Sequence, residues 1–260
     1  MLLGSNTSTT DILKRAPITA LWIWCNLLPF TIGNQRQDGS ILEDSENKPW
    51  RPLPSKRITK DDASDLMLFS YFLAFALSTF VGGTPQCVIL MGLGYWHNDL
   101  GGGDGHYAIR NLLNGLGYLC FTSGSQAVIS NEATWSLKPA AYQWMLLLAV
   151  VIFTTIQAQD MRDQEGDRLR GRRTLPLVIG DKAARYSIVV SICFWSILCP
   201  MFWRLRAESF VLPCIFGAIV CGRFLFNRSA EEDRMSYRLY NIWIVCIYLL
   251  PLCKRFEQII

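Results

Sequence analysis

Charge is scarce in this sequence, and it is missing in long blocks. Of 260 residues, 51% are hydrophobic and 18% charged, an apolar balance for a soluble globular domain. Uncharged runs cover Ala16–Gln35, Leu66–Asn98, Asn111–Asn131, Pro139–Gln159 and Tyr186–Trp203, with shorter ones at Ser209–Gly222 and Leu239–Cys253. A helix needs about 20 apolar residues to cross a bilayer, so these runs argue against a water-soluble all-α protein with an apolar core.

Other absences narrow the field. None of the nine cysteines forms a CxxC pair and their number is odd, which argues against a zinc site or a disulfide framework and for small buried packing residues. No nucleic-acid-binding motif is present, so nucleic acid is not an expected partner. The net charge of +4 instead suits anionic lipid headgroups or an anionic substrate. No cleavable signal peptide stands out. The start, "MLLGSNTSTTDILKR", reads as a flexible lead-in over residues 1–15 before a single membrane domain over 16–260. Intramembrane charge is also lacking, which argues against a transporter or channel, whose sites lie near the midplane. The DGxxAR-like signature of CDP-alcohol phosphotransferases is absent too.

What is present is an all-α pattern, a polytopic membrane helix bundle. The run Leu66–Asn98 is too long for one crossing and is broken by Gly82-Gly83-Thr84-Pro85, a turn signal. About eight spans result, at 16–33, 64–81, 86–97, 109–129, 139–158, 186–203, 209–226 and 239–253. By parity the segments 34–63, 98–108, 159–185 and 227–238 share one side, with Lys48, Arg51, Lys56, Arg57, Arg162, Arg168, Arg170, Arg172, Arg173 and Arg228. The opposite turns are short and carry little charge. The positive-inside rule turns the charged side to the cytoplasm.

Acidic groups gather on that same side. The first segment holds Asp38, Glu43 and Asp44 ahead of Asn47-Lys48-Pro49-Trp50-Arg51-Pro52, and the second holds Asn98, Asp99 and Asp104 among four glycines. The third reads "DMRDQEGDRLRGRRTLP", with Asp160, Asp163 and Asp167 at offsets that share one face of a continuous helix. Any one of these segments, taken alone, reads as a solvated loop. Together, carboxylates with interleaved cations at one membrane face suit a diphosphate bridged by Mg²⁺, which takes oxygen ligands from one or two carboxylates, phosphate and water. Lys48, Arg51, Arg110, Arg168 and Arg172 are candidates to contact phosphate oxygens. Asn98 and Asp99 are further candidates for substrate binding, with Asp104 and Gly101–Gly103 as a loop able to close over phosphate.

The third segment resembles the second aspartate motif of the UbiA superfamily of intramembrane prenyltransferases, DxxDxxxD followed by Gly and Thr-Leu-Pro. Asp160, Asp163, Asp167, Gly171, Thr174, Leu175 and Pro176 all match it. The stretch "NQ…ED…NKPWRPLPSKRIT" is similar to the first motif, with Asn34 as its leading asparagine and Asp44 as its last acidic position. The resemblance runs from about Asn26 to the last span. It implies a bundle of nine helices around a central cavity open at the cytoplasmic face, of which the first has no counterpart among the spans seen here.

The resemblance also implies a chemistry. Mg²⁺ held by Asn34, Asp38, Glu43, Asp44, Asp160, Asp163 and Asp167 would grip the diphosphate of an isoprenoid, farnesyl or geranylgeranyl. The allylic C–O bond would then ionise to a carbocation. Lys48 and Arg51 would bind phosphate without holding the metal. Aromatic side chains of the spans, Trp22, Tyr71, Tyr240 and Trp243 among them, are candidates to stabilise cations, although each taken alone reads first as core or lipid-facing packing. His97 and His106 are candidate bases, or simply hydrogen-bonded groups. Capture of the cation by the substrate's own double bonds makes a terpene cyclase; capture by an aromatic or other acceptor makes a prenyltransferase. Asn34-Gln35 in place of the usual Asn-Asp, with "NDLGGGDG" after the third span, resembles the fungal natural-product branch, which holds both kinds. The cyclase is the favoured expectation, and the endoplasmic reticulum the expected membrane.

Overall fold

The computed structural model describes residues 9–131 and 139–257; the first part of the lead-in and most of the turn at 130–138 lie outside them. Every described element is helical. In chain order the α-helices are α1 (Thr9–Arg36), α2 (Asp38–Asn47), α3 (Lys60–Val81), α4 (Thr84–Asn98), α5 (Tyr107–Ser130), α6 (Pro139–Thr155), α7 (Gln164–Arg170), α8 (Leu175–Ile179), α9 (Asp181–Phe202), α10 (Val211–Phe226) and α11 (Ala230–Glu257). Two 3-10 helices, Ile156–Arg162 and Ala207–Phe210, interrupt them.

Each of the eight expected spans is helical. Six helices are long and apolar enough to cross a membrane: Thr10–Arg36, Lys60–Val81, Pro139–Arg162, Asp181–Phe202, Ala207–Phe226 and Ala230–Glu257. The other two expected spans are α4 and α5. Local signals set the boundaries. Thr59 caps α3 by accepting from the Asp62 N–H at 3.1 Å, satisfying a donor that the first turn leaves free. α3 stops at Gly82, and Pro85 sits in the first turn of α4, where its missing N–H costs nothing.

The helices divide into two compact units. One holds the described residues through Ala149 together with Glu165–Arg173; the other holds Val150–Gln164 and the chain from Thr174 onward. In the first unit Trp22, Cys25, Ala74, Cys87 and Val128 form a buried cluster, and Trp22 Nε1 donates to Ser78 Oγ at 2.8 Å. In the second, Ile188, Ile192, Val220, Phe224, Tyr240, Trp243 and Ile247 are buried. There the Tyr240 hydroxyl bonds Thr155 Oγ1 at 2.9 Å, and Trp243 Nε1 donates to Ser196 Oγ at 2.9 Å. Large apolar side chains meanwhile face outward: Phe80 is 88% exposed and Phe226 83%. Polar groups paired inside and apolar groups outside is the arrangement a lipid solvent favours. Among the described residues the cysteines are free, and most are buried or half-buried; Cys193 is the exception to the packing expectation and is exposed.

Candidate active site

The first unit gathers most of the polar residues singled out from the sequence. The segment 34–63 is not a plain loop: α2 forms within it and buries Ser40, Glu43 and Asp44. Asp38, on the first turn of α2, is exposed and pairs with Lys60 at 2.7 Å, apart from the buried acids of its own helix. Asp44 Oδ1 and Oδ2 accept from Arg51 Nη1 at 2.9 and 2.8 Å. Burial raises the Asp44 carboxyl above its ordinary range, although Arg51 and Lys48 pull the other way.

Glu43 meets the end of the second motif. Arg172 reaches Glu43 at 2.8 Å, Asp167 at 3.0 Å and Asp104 at 2.8 Å. Arg170 reaches Glu43 and Asp104, each at 3.1 Å, and donates to Ser40 Oγ at 2.5 Å. Two guanidinium groups, each at most 5% exposed, therefore sit among three carboxylates, and the cluster carries one net negative charge. Burial alone would raise the Asp104 carboxyl, but Arg172 and Arg170 outweigh it and hold Asp104 below the usual carboxylate range. Burial acts to lower the Arg172 guanidinium, yet Glu43, Asp167 and Asp104 drive its pKa upward.

The local chain explains why Arg172 points there. Gly171 has φ +77°, a left-handed conformation open to glycine at little cost. Its N–H donates to the Arg168 carbonyl, and the Arg172 N–H to the Asp167 carbonyl, at 3.1 and 2.9 Å. These two bonds are the Schellman closure of a helix end. They reverse the chain so that Arg172 returns onto Asp167, while Arg168 stays exposed.

The loop after α4 is packed rather than open. A Cβ on Gly103 would stand 2.5 Å from His97 Cε1, so the glycine lets the backbone lie against that buried ring. His97 Nδ1 pairs with Asn98 Oδ1 at 2.9 Å, and His106 Nδ1 accepts the Ala108 N–H at 3.1 Å as the cap of α5. Both histidines thus have local structural partners. Arg110 Nη1 donates to the Gly103 carbonyl at 3.4 Å. Asp99 is bound by Arg36, at the end of α1, and by Gln37 at 3.0 Å.

Asp160 and Asp163 belong to the second unit, whereas Asp167 belongs to the first. The expected single helical face does not form. A 3-10 helix ends at Arg162, the chain bends at Asp163, and α7 starts at Gln164. The physical reason is the closure of the turn by the Asp163 N–H on the Asp160 carbonyl at 3.2 Å, a three-residue step in place of the four-residue step of an α-helix. Asp160 is buried, and Asp163 lies 3.5 Å from Arg162 Nε.

The donors fit Mg²⁺ in kind. They are oxygens only, and Asn34 Oδ1 is buried with no hydrogen-bond partner, a site that a hard cation or its water can satisfy. Among the described residues no three Asp, Glu, His or Cys side chains form a group that can hold a metal alone. An ion bridged through a diphosphate needs only one or two carboxylates.

Sequence reasoning did not single out Arg170, which joins the cluster through Glu43 and Asp104, and underweighted Asp104. The signal available was the offset Asp167, Arg170: three residues apart on a helix, they share a face.

Helices with lipid-type exteriors and a buried carboxylate–guanidinium cluster define an integral membrane protein that gathers charged groups inside its first unit. Residues 18–245 match the UbiA prenyltransferase family, and the chain belongs to that family. It is 31% identical over 237 residues to the fumagillin beta-trans-bergamotene synthase af520 of Aspergillus fumigatus, covering 90% of this chain and 80% of that one. It is 28% identical to the somaliensene A/B synthase of Streptomyces somaliensis, covering 86% and 74%. The fold matches a UbiA homolog from Archaeoglobus fulgidus bound to DMAPP and Mg²⁺, with a TM-score of 0.63 over 95% of this chain and 90% of that one, at 15% identity.

Proposed function

We propose that the protein is a UbiA-type terpene cyclase, which ionises a prenyl diphosphate, farnesyl or geranylgeranyl, and closes the resulting cation on its own double bonds. The observation that carries the reading is the meeting, in one unit, of Glu43 from the first motif segment with Asp167 and Arg172 from the second. The likeness to two terpene synthases supports cyclisation over transfer.

Asn34, Asp44, Asp160, Asp163 and Asp167 would hold Mg²⁺, with Glu43 as a further donor; Asp38, exposed and paired with Lys60, is the weakest member of the set. When bound, the ion supplies positive charge against the departing pyrophosphate. Arg172 and Arg170 present planar forks that match phosphate oxygens as well as carboxylates, so they can exchange a carboxylate for a phosphate on substrate arrival. Lys48, Arg51, Arg110 and Arg168 would add cationic reach, and Asn98 and Asp99 would add polar contacts to the substrate. The allylic C–O bond breaks with its electron pair leaving on pyrophosphate. A distal double bond of the same chain captures the cation, and a proton is lost at the end to a basic group, for which the pyrophosphate oxygens suffice. Exclusion of water would be needed, because water would otherwise quench the cation. The polar segments face the cytoplasm, by the positive-inside rule, in the endoplasmic reticulum membrane.

The test is to incubate membranes containing the protein with Mg²⁺ and farnesyl or geranylgeranyl diphosphate, without acceptor, and to analyse the extract by gas chromatography–mass spectrometry. A cyclic hydrocarbon that disappears with EDTA and in Asp163→Ala is the expected result. Consumption of the diphosphate only when an aromatic acceptor is added would make the protein a prenyltransferase instead, the reading that the family's name favours.

A further inference from the structure

The second unit contains a polar chain that the reaction does not use directly. Arg185 on α9 is 2% exposed and grips Asp233 on α11 through two bonds of 2.7 Å. It also donates to the Phe224 carbonyl at the end of α10 at 3.1 Å. Three helices are thereby joined at one buried guanidinium. From the same guanidinium Nε donates to Asp181 Oδ2 at 2.9 Å. Asp181 Oδ1 in turn accepts from Gln164 Nε2 at 3.1 Å, and Gln164 Nε2 also donates to the Met161 carbonyl at 3.0 Å. Both amide hydrogens of Gln164 are then spent, one on the segment carrying Asp160 and Asp163 and one on the anchor.

The residue on the other side of Asp163 is held by the same helix. The Arg162 guanidinium stands 4.6 Å from the centroid of the Tyr237 ring, within cation–π range. Tyr237 lies four residues after Asp233, on the same face of α11, and stacks on Tyr240 with ring centroids 5.7 Å apart. Tyr240 bonds Thr155 just before the 3-10 helix. Residues 162 and 164 are thus both tied to one face of α11, the first directly and the second through Asp181 and Arg185. Asp163 lies between them.

We propose that Gln164 and Tyr237 are positioning residues for the metal-binding aspartates: they seat the Asp160–Asp163 turn on α11 so that its carboxylates keep the orientation a metal-bound diphosphate needs. The inference rests on the reading of Asp160 and Asp163 as metal ligands. Partners of ligating carboxylates commonly matter by 10–100-fold in metal affinity. Gln164 and Tyr237 are the outermost links, so they can be changed without breaking the buried Arg185–Asp233 pair.

The test uses the full chain in detergent and follows Mn²⁺ binding by electron paramagnetic resonance in the presence of inorganic pyrophosphate. Gln164→Leu and Tyr237→Leu are expected to weaken Mn²⁺ binding by about tenfold or more, while Tyr237→Phe, which keeps the ring, retains wild-type affinity. The melting temperature of the metal-free protein should stay within about 2 °C in all three, since Gln164 and Tyr237 are only half-buried and the buried Arg185–Asp233 pair is untouched. Wild-type Mn²⁺ affinity in Gln164→Leu and Tyr237→Leu overturns the proposal. So does a loss of affinity that tracks an equal loss of metal-free stability, which would make the contacts merely structural. Asp163→Ala separates the two levels: if it binds Mn²⁺ as wild type does, the metal-site reading itself fails and the positioning role falls with it.

Discussion

Arg172 Nη1 lies 3.0 Å from Asp167 Oδ1, five residues back along a chain reversed at Gly171. The same guanidinium holds Glu43 and Asp104, so one side chain joins three segments far apart in sequence. That geometry depends on a left-handed residue, and it sets the first expectation.

Gly171→Ala should keep the fold but strain the helix end by about 1–2 kcal/mol, the cost of a left-handed side-chain-bearing residue. Relaxing that strain would swing Arg172 off Asp167. The expected outcome is a KM for the prenyl diphosphate raised about tenfold, the equivalent of one lost charge-assisted bond, with a small drop in melting temperature. Steady-state kinetics beside a thermal melt in detergent checks it; an unchanged KM would mean that Arg172 does not act on substrate.

Arg172→Met tests the cluster's energetics. It would leave Glu43, Asp104 and Asp167 with one guanidinium where two now stand. Removing one partner of a buried ionic group typically costs about 3–5 kcal/mol. A clear fall in melting temperature is expected, smaller in the double variant Arg172→Met with Glu43→Gln, which removes one of the stranded charges. Equal losses in the single and double variants would show that Glu43 and Arg172 do not stabilise each other.

Much of this was legible in the sequence. The seven uncharged runs, the break at Gly82–Gly83 and the paired acidic segments are local patterns, and the helices α1, α3–α6 and α9–α11 follow them. The motif glycine at 171 was visible too, although its Schellman role needs the φ angle. Less legible was what depends on tertiary contact. Nothing local says that α2 should form inside the segment 34–63 and bury Glu43. The bend at Asp163 was hidden because spacing of three and four residues describes a continuous helix, whereas the turn closes in a three-residue step from the Asp163 N–H to the Asp160 carbonyl. The buried Arg185–Asp233 pair spans 48 residues, a separation at which no sequence window links the two.

Lys48→Ala and Arg51→Ala read alike in the sequence, as phosphate contacts that spare the metal. The structure separates them. Arg51 is bound to both oxygens of Asp44, so its loss removes the larger of the two cationic influences that offset burial of that carboxylate, where Lys48 acts only at longer range. Lys48→Ala should mainly raise KM, whereas Arg51→Ala should raise KM and lower kcat together. The kcat values of the two variants decide the matter.

The pH dependence of stability has a definite sign at Asp104. Its carboxyl is held below the ordinary range by Arg172 and Arg170, while in the unfolded chain it titrates near the ordinary aspartate value of about 3.9. A group depressed on folding contributes stability that is fully present above the unfolded value and is lost as pH falls through the folded one. Asp104→Asn should therefore lower the melting temperature at neutral pH and flatten its decline on the acid side below about pH 4. Melts of both proteins between neutral and acidic pH measure this directly. Parallel curves, offset but equally steep in acid, would mean that other carboxylates carry the acid sensitivity.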